Sequence, residues 1–297
     1  MHRSSLLLSL SICVASTLGC APDAAPPPAI SPLAAQAHST DALSVCQVGG
    51  ESLLGDLVRP GRAVHKRRAL LLVHGGGWRG GERQEFAPLM QALAQEGYTS
   101  LSVDYRLAPA VRHPAQLTDV KCALRWLKAH AAELDIDPDR VALLGSSAGG
   151  HLATLAAYTS NDPQFEGRGL PLHGDTRVAA VVTHGGPADL RDAASYGEDA
   201  RRAVGVLMGR VPLTLSELER ASPVHFVRPD SPPTLVLHGE LDATVPVSQA
   251  HRLAGALLAA NAPHRLLVVP GAGHRDFGPN PDAVRRQLVD FLDTHLR

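Results

Sequence analysis

The feature that most constrains this chain is the run Gly145-Ser146-Ser147-Ala148-Gly149-Gly150. It sits between the apolar stretch Val141-Ala142-Leu143-Leu144 and the stretch His151-Leu152-Ala153-Thr154-Leu155-Ala156-Ala157. A short apolar run, a small-residue turn and a longer apolar run read as strand, sharp turn, helix. Glycines on both sides of Ser147 are expected where two backbones pass too close for a side chain. Ser147 then stands at the point of the turn. A serine hydroxyl is a poor nucleophile until a base takes its proton and donors await the oxyanion. A G-x-S-x-G turn presents the serine to both. Taken alone, the run fits a tight structural loop equally well, so its neighbours must decide.

Those neighbours alternate short apolar runs with longer amphipathic ones from about residue 46 onward. Strands are predicted at Ala69–Val73, Thr99–Val103, Val141–Leu144, Val178–Thr183, Thr234–Leu237 and Arg265–Val269. Helices are predicted at Phe86–Glu96, Leu117–Ala131, His151–Tyr158, Ser248–Ala260 and Asp282 to about His295. Strands this apolar, alternating with helices, imply an α/β fold: a mostly parallel central sheet covered by helices on both faces. Ligands of such sheets bind at the carboxyl ends of the strands. Two stretches without strong periodicity, Thr159–Arg177 and Asp189–Pro233, are expected to form lid or substrate-contact loops.

The chemistry-bearing motifs each begin where a strand ends. His74-Gly75-Gly76-Gly77-Trp78 follows the first buried strand. Consecutive glycines let backbone N–H groups approach a substrate oxygen. Gly76 and Gly77 are the expected loop donors, with Gly75 still open, and the N–H of Ala148 is their partner across the site. No G-K-[ST] follows, which removes a phosphate loop. Asp242, in His238-Gly239-Glu240-Leu241-Asp242-Ala243-Thr244-Val245-Pro246, is the expected acid, and Glu240 a solvated neighbour. His274, ending Pro270-Gly271-Ala272-Gly273-His274, is the expected base. The order Ser147, Asp242, His274 is one of the known triad orders. Trp78 and His184 are expected to shape the substrate pocket. His151 is expected to pack, and His238 to bond within its own loop. The run Asp104-Tyr105-Arg106-Leu107-Ala108-Pro109 reads as a structural turn fixing the loop beside it.

Composition narrows the class. With 297 residues and 44% hydrophobic content the chain can bury one large core. A net charge of −1 with mixed signs gives no reason to expect a nucleic-acid partner. The basic run His65-Lys66-Arg67-Arg68 reads as a solvated turn. Despite 15 histidines there is no H-E-x-x-H and no Cys/His zinc spacing, so neither a metal nor a cofactor is expected. Residues 1–20 read as an export signal: Arg3, then the apolar run Leu6–Ala15, then Ser16-Thr17-Leu18-Gly19-Cys20. The last five resemble a bacterial lipobox with Cys20 as lipid site, although Thr17 stands where leucine is usual; cleavage for ordinary secretion is the alternative. Residues 21–45 begin Ala/Pro-rich and are expected to form an extended tether. Residues 46–297 are the expected folded domain. Cys46 and Cys122 would meet an oxidising compartment and are left either paired or as separate buried thiols.

HGGGW at 74–78, DYRLAP at 104–109, GSSAGG at 145–150, HGELDATVP at 238–246 and GAGH at 271–274 together resemble the α/β-hydrolase esterases. The branch they resemble is the acetyl-xylan/feruloyl esterase-like one, with hormone-sensitive-lipase-type carboxylesterases as relatives. The resemblance implies a Ser-His-Asp serine hydrolase acting on short or exposed acyl esters. Amide hydrolysis by the same triad is the enzymatic alternative, and a non-catalytic binding module the remote one. Two departures, the short segment Cys46–Arg68 before the loop and Ser146 in place of an acidic residue, argue against long-chain lipids. The N-terminal reading has a direct check. Replacing Cys20 by Ser is expected to move the protein from the membrane fraction to the soluble one; unchanged fractionation would remove the lipid anchor.

Overall fold

The computed structural model describes residues 37–167, 174–209, 212–274 and 276–297. The export signal, Cys20 and the Ala/Pro-rich part of the tether lie outside the described residues. In chain order the elements are β1 (His38–Val48), β2 (Glu51–Arg59), β3 (Arg68–Val73), α1 (Ala87–Gln95), β4 (Tyr98–Val103), α2 (Ala115–Ala129), β5 (Val141–Ser146) and α3 (Ala148–Tyr158). There follow β6 (Ala180–His184), α4 (Glu198–Met208), α5 (Leu215–Arg220), β7 (Thr234–Gly239), α6 (Ser248–Ala259), β8 (His264–Val269) and α7 (Pro281–His295).

The strands form one sheet in the order β1-β2-β4-β3-β5-β6-β7-β8. β1 pairs with β2, and β2 with β4, antiparallel; every other pairing is parallel. The period-two rule of a strand distributes the core over both faces. Leu71, Val73, Leu143 and Val181 pack with Leu124 of α2, Leu152 and Leu155 of α3 and Leu257 of α6. Leu70, Leu72, Leu144 and Val182 pack against Leu93 of α1 and Leu288, Phe291 and Leu292 of α7. The central strands are apolar throughout because helices cover both faces of them. Full burial of each such side chain contributes about 1.5–3 kcal/mol.

The folded domain starts earlier than the expected boundary at Cys46. β1 begins at His38, so residues 38–45 belong to the sheet and not to the tether. Two causes hide this strand from sequence patterning. It is an edge strand whose first five residues are exposed, and the register shifts between Thr40 and Leu43 and between Ser44 and Cys46. Bulges of this kind break the period-two alternation that marks a strand.

The segment 159–177 also departs from expectation. Its described part is tied to α2: Lys121 pairs with Glu166 at 2.6 Å, Arg125 pairs with the same carboxylate, and Lys128 meets Asp175 at 2.9 Å. It is thereby a buttress for a helix and not a lid.

Cys46 and Cys122 are joined by a disulfide between β1 and α2, with Cα atoms 6.1 Å apart and a sequence separation of 76. Closing so long a loop restricts the unfolded chain. The Cys46→Ala, Cys122→Ala double variant is expected to lose about 2–5 kcal/mol of unfolding free energy in a urea titration.

Candidate active site

Ser147 occupies the turn from β5 to α3 with φ +54° and ψ −121°. A non-glycine residue at positive φ is strained, typically by 1–3 kcal/mol, and persists only where its surroundings dictate it. Here the Ser147 N–H donates to the His184 carbonyl at 2.7 Å, and the His151 N–H donates to the Ser147 carbonyl at 3.0 Å. A Cβ on Gly149 would stand 1.9 Å from the Val73 carbonyl oxygen, so only glycine lets α3 start against the end of β3.

The expected triad assembles from three separate strand ends. Ser147 Oγ and His274 Nε2 are 2.7 Å apart, and His274 Nδ1 and Asp242 Oδ2 are 2.6 Å apart. A carboxylate only accepts, so Nδ1 carries the proton and Nε2 is free to take the one on Oγ. Asp242 is itself held: its Oδ1 accepts the N–H groups of Thr244 and Val245, each at 2.9 Å. His238 Nε2 stands 2.8 Å from the Val245 carbonyl and 3.2 Å from Asp242 Oδ2, which makes it a donor to both. Burial alone would raise the Asp242 pKa. The donors from His238, His274 and Val245 outweigh it and hold the carboxyl well below the usual carboxylate range. Glu240 takes no part in this relay; its carboxylate accepts the Gly271 N–H at 3.0 Å in an exposed loop.

Gly76, Gly77, Ala148, Ser147 and His274 border one cavity of about 420 Å³. Gly76 has φ +96°, and a Cβ there would meet the Gly80 carbonyl oxygen at 2.2 Å. Its own carbonyl accepts the N–H groups of Arg79 and Gly80 at 3.1 Å each, which closes a tight turn under the loop. From below, Tyr105 stacks on His74 with centroids 4.2 Å apart, and its hydroxyl reaches the His74 and Gly75 carbonyls at 3.1 and 3.0 Å. Asp104 accepts from Arg83 at 2.6 Å, and Arg106 grips Asp119 at 2.7 Å. The DYRLAP run thus has the structural role expected of it.

Trp78 and His184 meet their expectation differently. Trp78 borders the cavity, yet it is almost wholly buried; its Nε1–H donates to His151 Nδ1 at 3.3 Å. His151 passes its Nε2 proton toward the Ala221 carbonyl at 2.6 Å. Burial pulls its pKa down to about 4, so this linking imidazole is neutral. His184 does not line the cavity. Its ring stacks on Phe277 at 4.8 Å, and burial lowers its pKa to about 4. Position at a strand end put its backbone, not its ring, at the nucleophile.

The other side of the cavity comes from residues the motifs did not point to: Pro187, Tyr196, Asp199, Ala200 and Ala203. A signal was available within Asp189–Pro233. Ala200, Ala203, Val204 and Leu207 stand at helical spacing, and they form the inward face of α4.

The electrostatics of Asp242 yields a signed prediction. Its folded pKa lies below the unfolded value of about 3.9. Its contribution to stability is therefore complete above the unfolded pKa and lost as pH falls through the folded one. Melting midpoints between pH 2 and 7 are expected to fall on acidification, and the Asp242→Asn variant to show a shallower fall below pH 4.

Comparison with known proteins agrees with this architecture. The BD-FAE family model matches residues 56–257. Esterase LipC of Mycobacterium tuberculosis is 40% identical over 212 residues, covering 69% of this chain and 52% of LipC. Esterase LipQ of the same bacterium is 35% identical over 218 residues, covering 72% of this chain and 51% of LipQ. The chain spans about half the length of these curated relatives. Among solved structures, a truncated carbohydrate esterase from gut microbiota superposes with a TM-score of 0.74 at 25% identity, covering 90% of this chain and 98% of that one. Esterase Est2 of Thermogutta terrifontis superposes with a TM-score of 0.69 at 26% identity, covering 89% and 91%. With its mostly parallel eight-stranded sheet and these likenesses, the chain has the α/β-hydrolase fold and belongs to the BD-FAE family.

Proposed function

We propose that this chain is a serine carboxylesterase for short-chain or exposed acyl esters, acetylated or feruloylated carbohydrates among them. The observation that carries the reading is the continuous relay from Ser147 through His274 to Asp242, at 2.7 and 2.6 Å, opening on a cavity. Relatives and structural neighbours named as esterases and as a carbohydrate esterase support it. A cavity of about 420 Å³ bounded by Ala200, Ala203 and Pro187 suits a small acyl group.

In this mechanism Ser147 Oγ attacks the ester carbonyl as its proton passes to His274 Nε2. Asp242 holds the imidazole in the required tautomer and stabilises the imidazolium. The oxyanion is held by N–H groups of Gly76, Gly77 and Ala148, where loss of one donor typically costs on the order of a hundredfold in rate. As the C–O bond to the alcohol breaks, His274 returns the proton to the leaving oxygen. Water, deprotonated by the same histidine, then cleaves the acyl-enzyme and restores Ser147. Export, with lipidation at Cys20 holding the domain at a membrane, completes the proposal and rests on the sequence of residues 3–20.

Two measurements test it. Ser147→Ala is expected to lower kcat by about 10⁴-fold or more while leaving the far-ultraviolet spectrum unchanged. Across 4-nitrophenyl acetate, butyrate and octanoate and matched formyl and aminoacyl amides, kcat/KM is expected to be highest for the short esters. Higher values for the amides would replace the esterase by an amidase, and full activity of Ser147→Ala would remove the mechanism.

A further inference from the structure

The cavity beside Ser147 carries a cation that the triad chemistry does not use. Arg79 directly follows the HGGGW loop and borders the same cavity as Ser147, Gly77 and His274. Its backbone is fixed, since its N–H donates to the Gly76 carbonyl at 3.1 Å and the preceding Trp78 carbonyl accepts the Ala108 N–H at 2.8 Å. Its side chain folds back over the loop. Nε and Nη2 lie 3.9 and 4.0 Å from where a Cβ on Gly77 would stand. The guanidinium is therefore next to a candidate oxyanion donor.

Its electrostatic setting is unusual among the arginines near this loop. Arg83 is held between Asp56 and Asp104 at 2.8 and 2.6 Å, and Arg106 grips Asp119. Among the described residues no ion pair holds the Arg79 guanidinium. Among the described residues the one carboxylate on the cavity wall is that of Asp199, 2.7 Å from Arg202. Arg202 chiefly lowers the Asp199 pKa, and Arg79 adds to the effect from a distance. The rest of the described cavity wall is apolar at Pro187, Ala200, Ala203 and Val245, and its other polar side chains, Ser147, Tyr196, Thr244 and His274, carry no carboxylate. An arginine fork with five donors matches a carboxylate in two-pronged fashion.

We propose that Arg79 is a specificity-determining residue that selects esters bearing a second, anionic group a short chain away from the scissile carbonyl. The proposal rests on the esterase reading of the same site. The substrate class is a carboxylate-bearing ester, with the charge on either the acyl or the alcohol portion. Arg79 contributes binding that is equal in ground and transition states, so its effect falls on KM. The attraction is partly exposed and weakens with salt.

The test uses two matched pairs with the full-length protein. The alcohol-side pair is 4-acetoxybenzoate and its methyl ester; the acyl-side pair is 4-nitrophenyl hydrogen adipate and 4-nitrophenyl methyl adipate. In at least one pair the charged-over-neutral ratio of kcat/KM is expected to fall roughly tenfold in Arg79→Gln and further in Arg79→Glu, through KM. That ratio is also expected to fall in wild-type protein as sodium chloride rises. The pair that responds identifies the limb of the ester facing Arg79. Equal ratios in wild type and Arg79→Gln for both pairs would overturn the proposal. If the wild type turns over none of the four esters, the esterase reading fails instead. The anion site is then decided by calorimetric binding of monomethyl adipate. Binding by wild type that is lost in Arg79→Gln upholds it; no binding, or equal binding, removes it.

Discussion

The close approach of α3 to the end of β3 at Gly149 is the constraint on which the rest of the site depends. The two backbones meet there with no room for a Cβ. That contact brings the Ser147 turn, which follows β5, against the HGGGW loop, which follows β3. Ser147 and the glycine N–H groups are thus set by the register of neighbouring parallel strands, in which Val73 stands opposite Gly145. Strand pairing is a rigid ruler, and a site built on it keeps its spacing without support from a bound substrate.

A second layer of contacts keeps charge where the first layer puts geometry. Asp242 is buried, yet four donors surround it: two backbone N–H groups and two imidazoles. A buried carboxylate without such partners would take up a proton and cease to orient His274. His238 therefore supports the acid as the acid supports His274. Trp78 and His151 do comparable work for the glycine loop, joining it to the first turn of α3 and to Ala221. With its pKa drawn down to about 4, His151 stays neutral at neutral pH and this link carries no charge there.

The parallel part of the fold was legible because its strands are apolar on both faces and its helices are long. The meeting of Ser147, His274 and Asp242 was legible because each lies shortly after the end of such a strand. What escaped reading shares a physical cause. β1 is an edge strand broken by two bulges, and its polar residues look like linker. His184 has the right position but a ring turned to Phe277, and side-chain direction at a strand end is not written in spacing. The cavity wall from α4 is made of alanines, whose helical spacing marks a buried face but advertises no chemistry. Lys121 and Arg125 stand on the helix that spacing predicts, but only the tertiary structure reveals that both reach one carboxylate, that of Glu166.

The Cys46–Cys122 bond has a mechanical meaning. The chain enters the domain through β1, at the sheet's edge, where hydrogen bonds to β2 alone hold it in the ladder. A pull on the segment before His38 would load those bonds one after another, as a zipper is opened. Peeling can travel only as far as Cys46, where a covalent link passes the force to α2 and so to the interior of the sheet. Beyond that point the load is shared by a packed helix and the sheet together, so strand-by-strand peeling stops within β1.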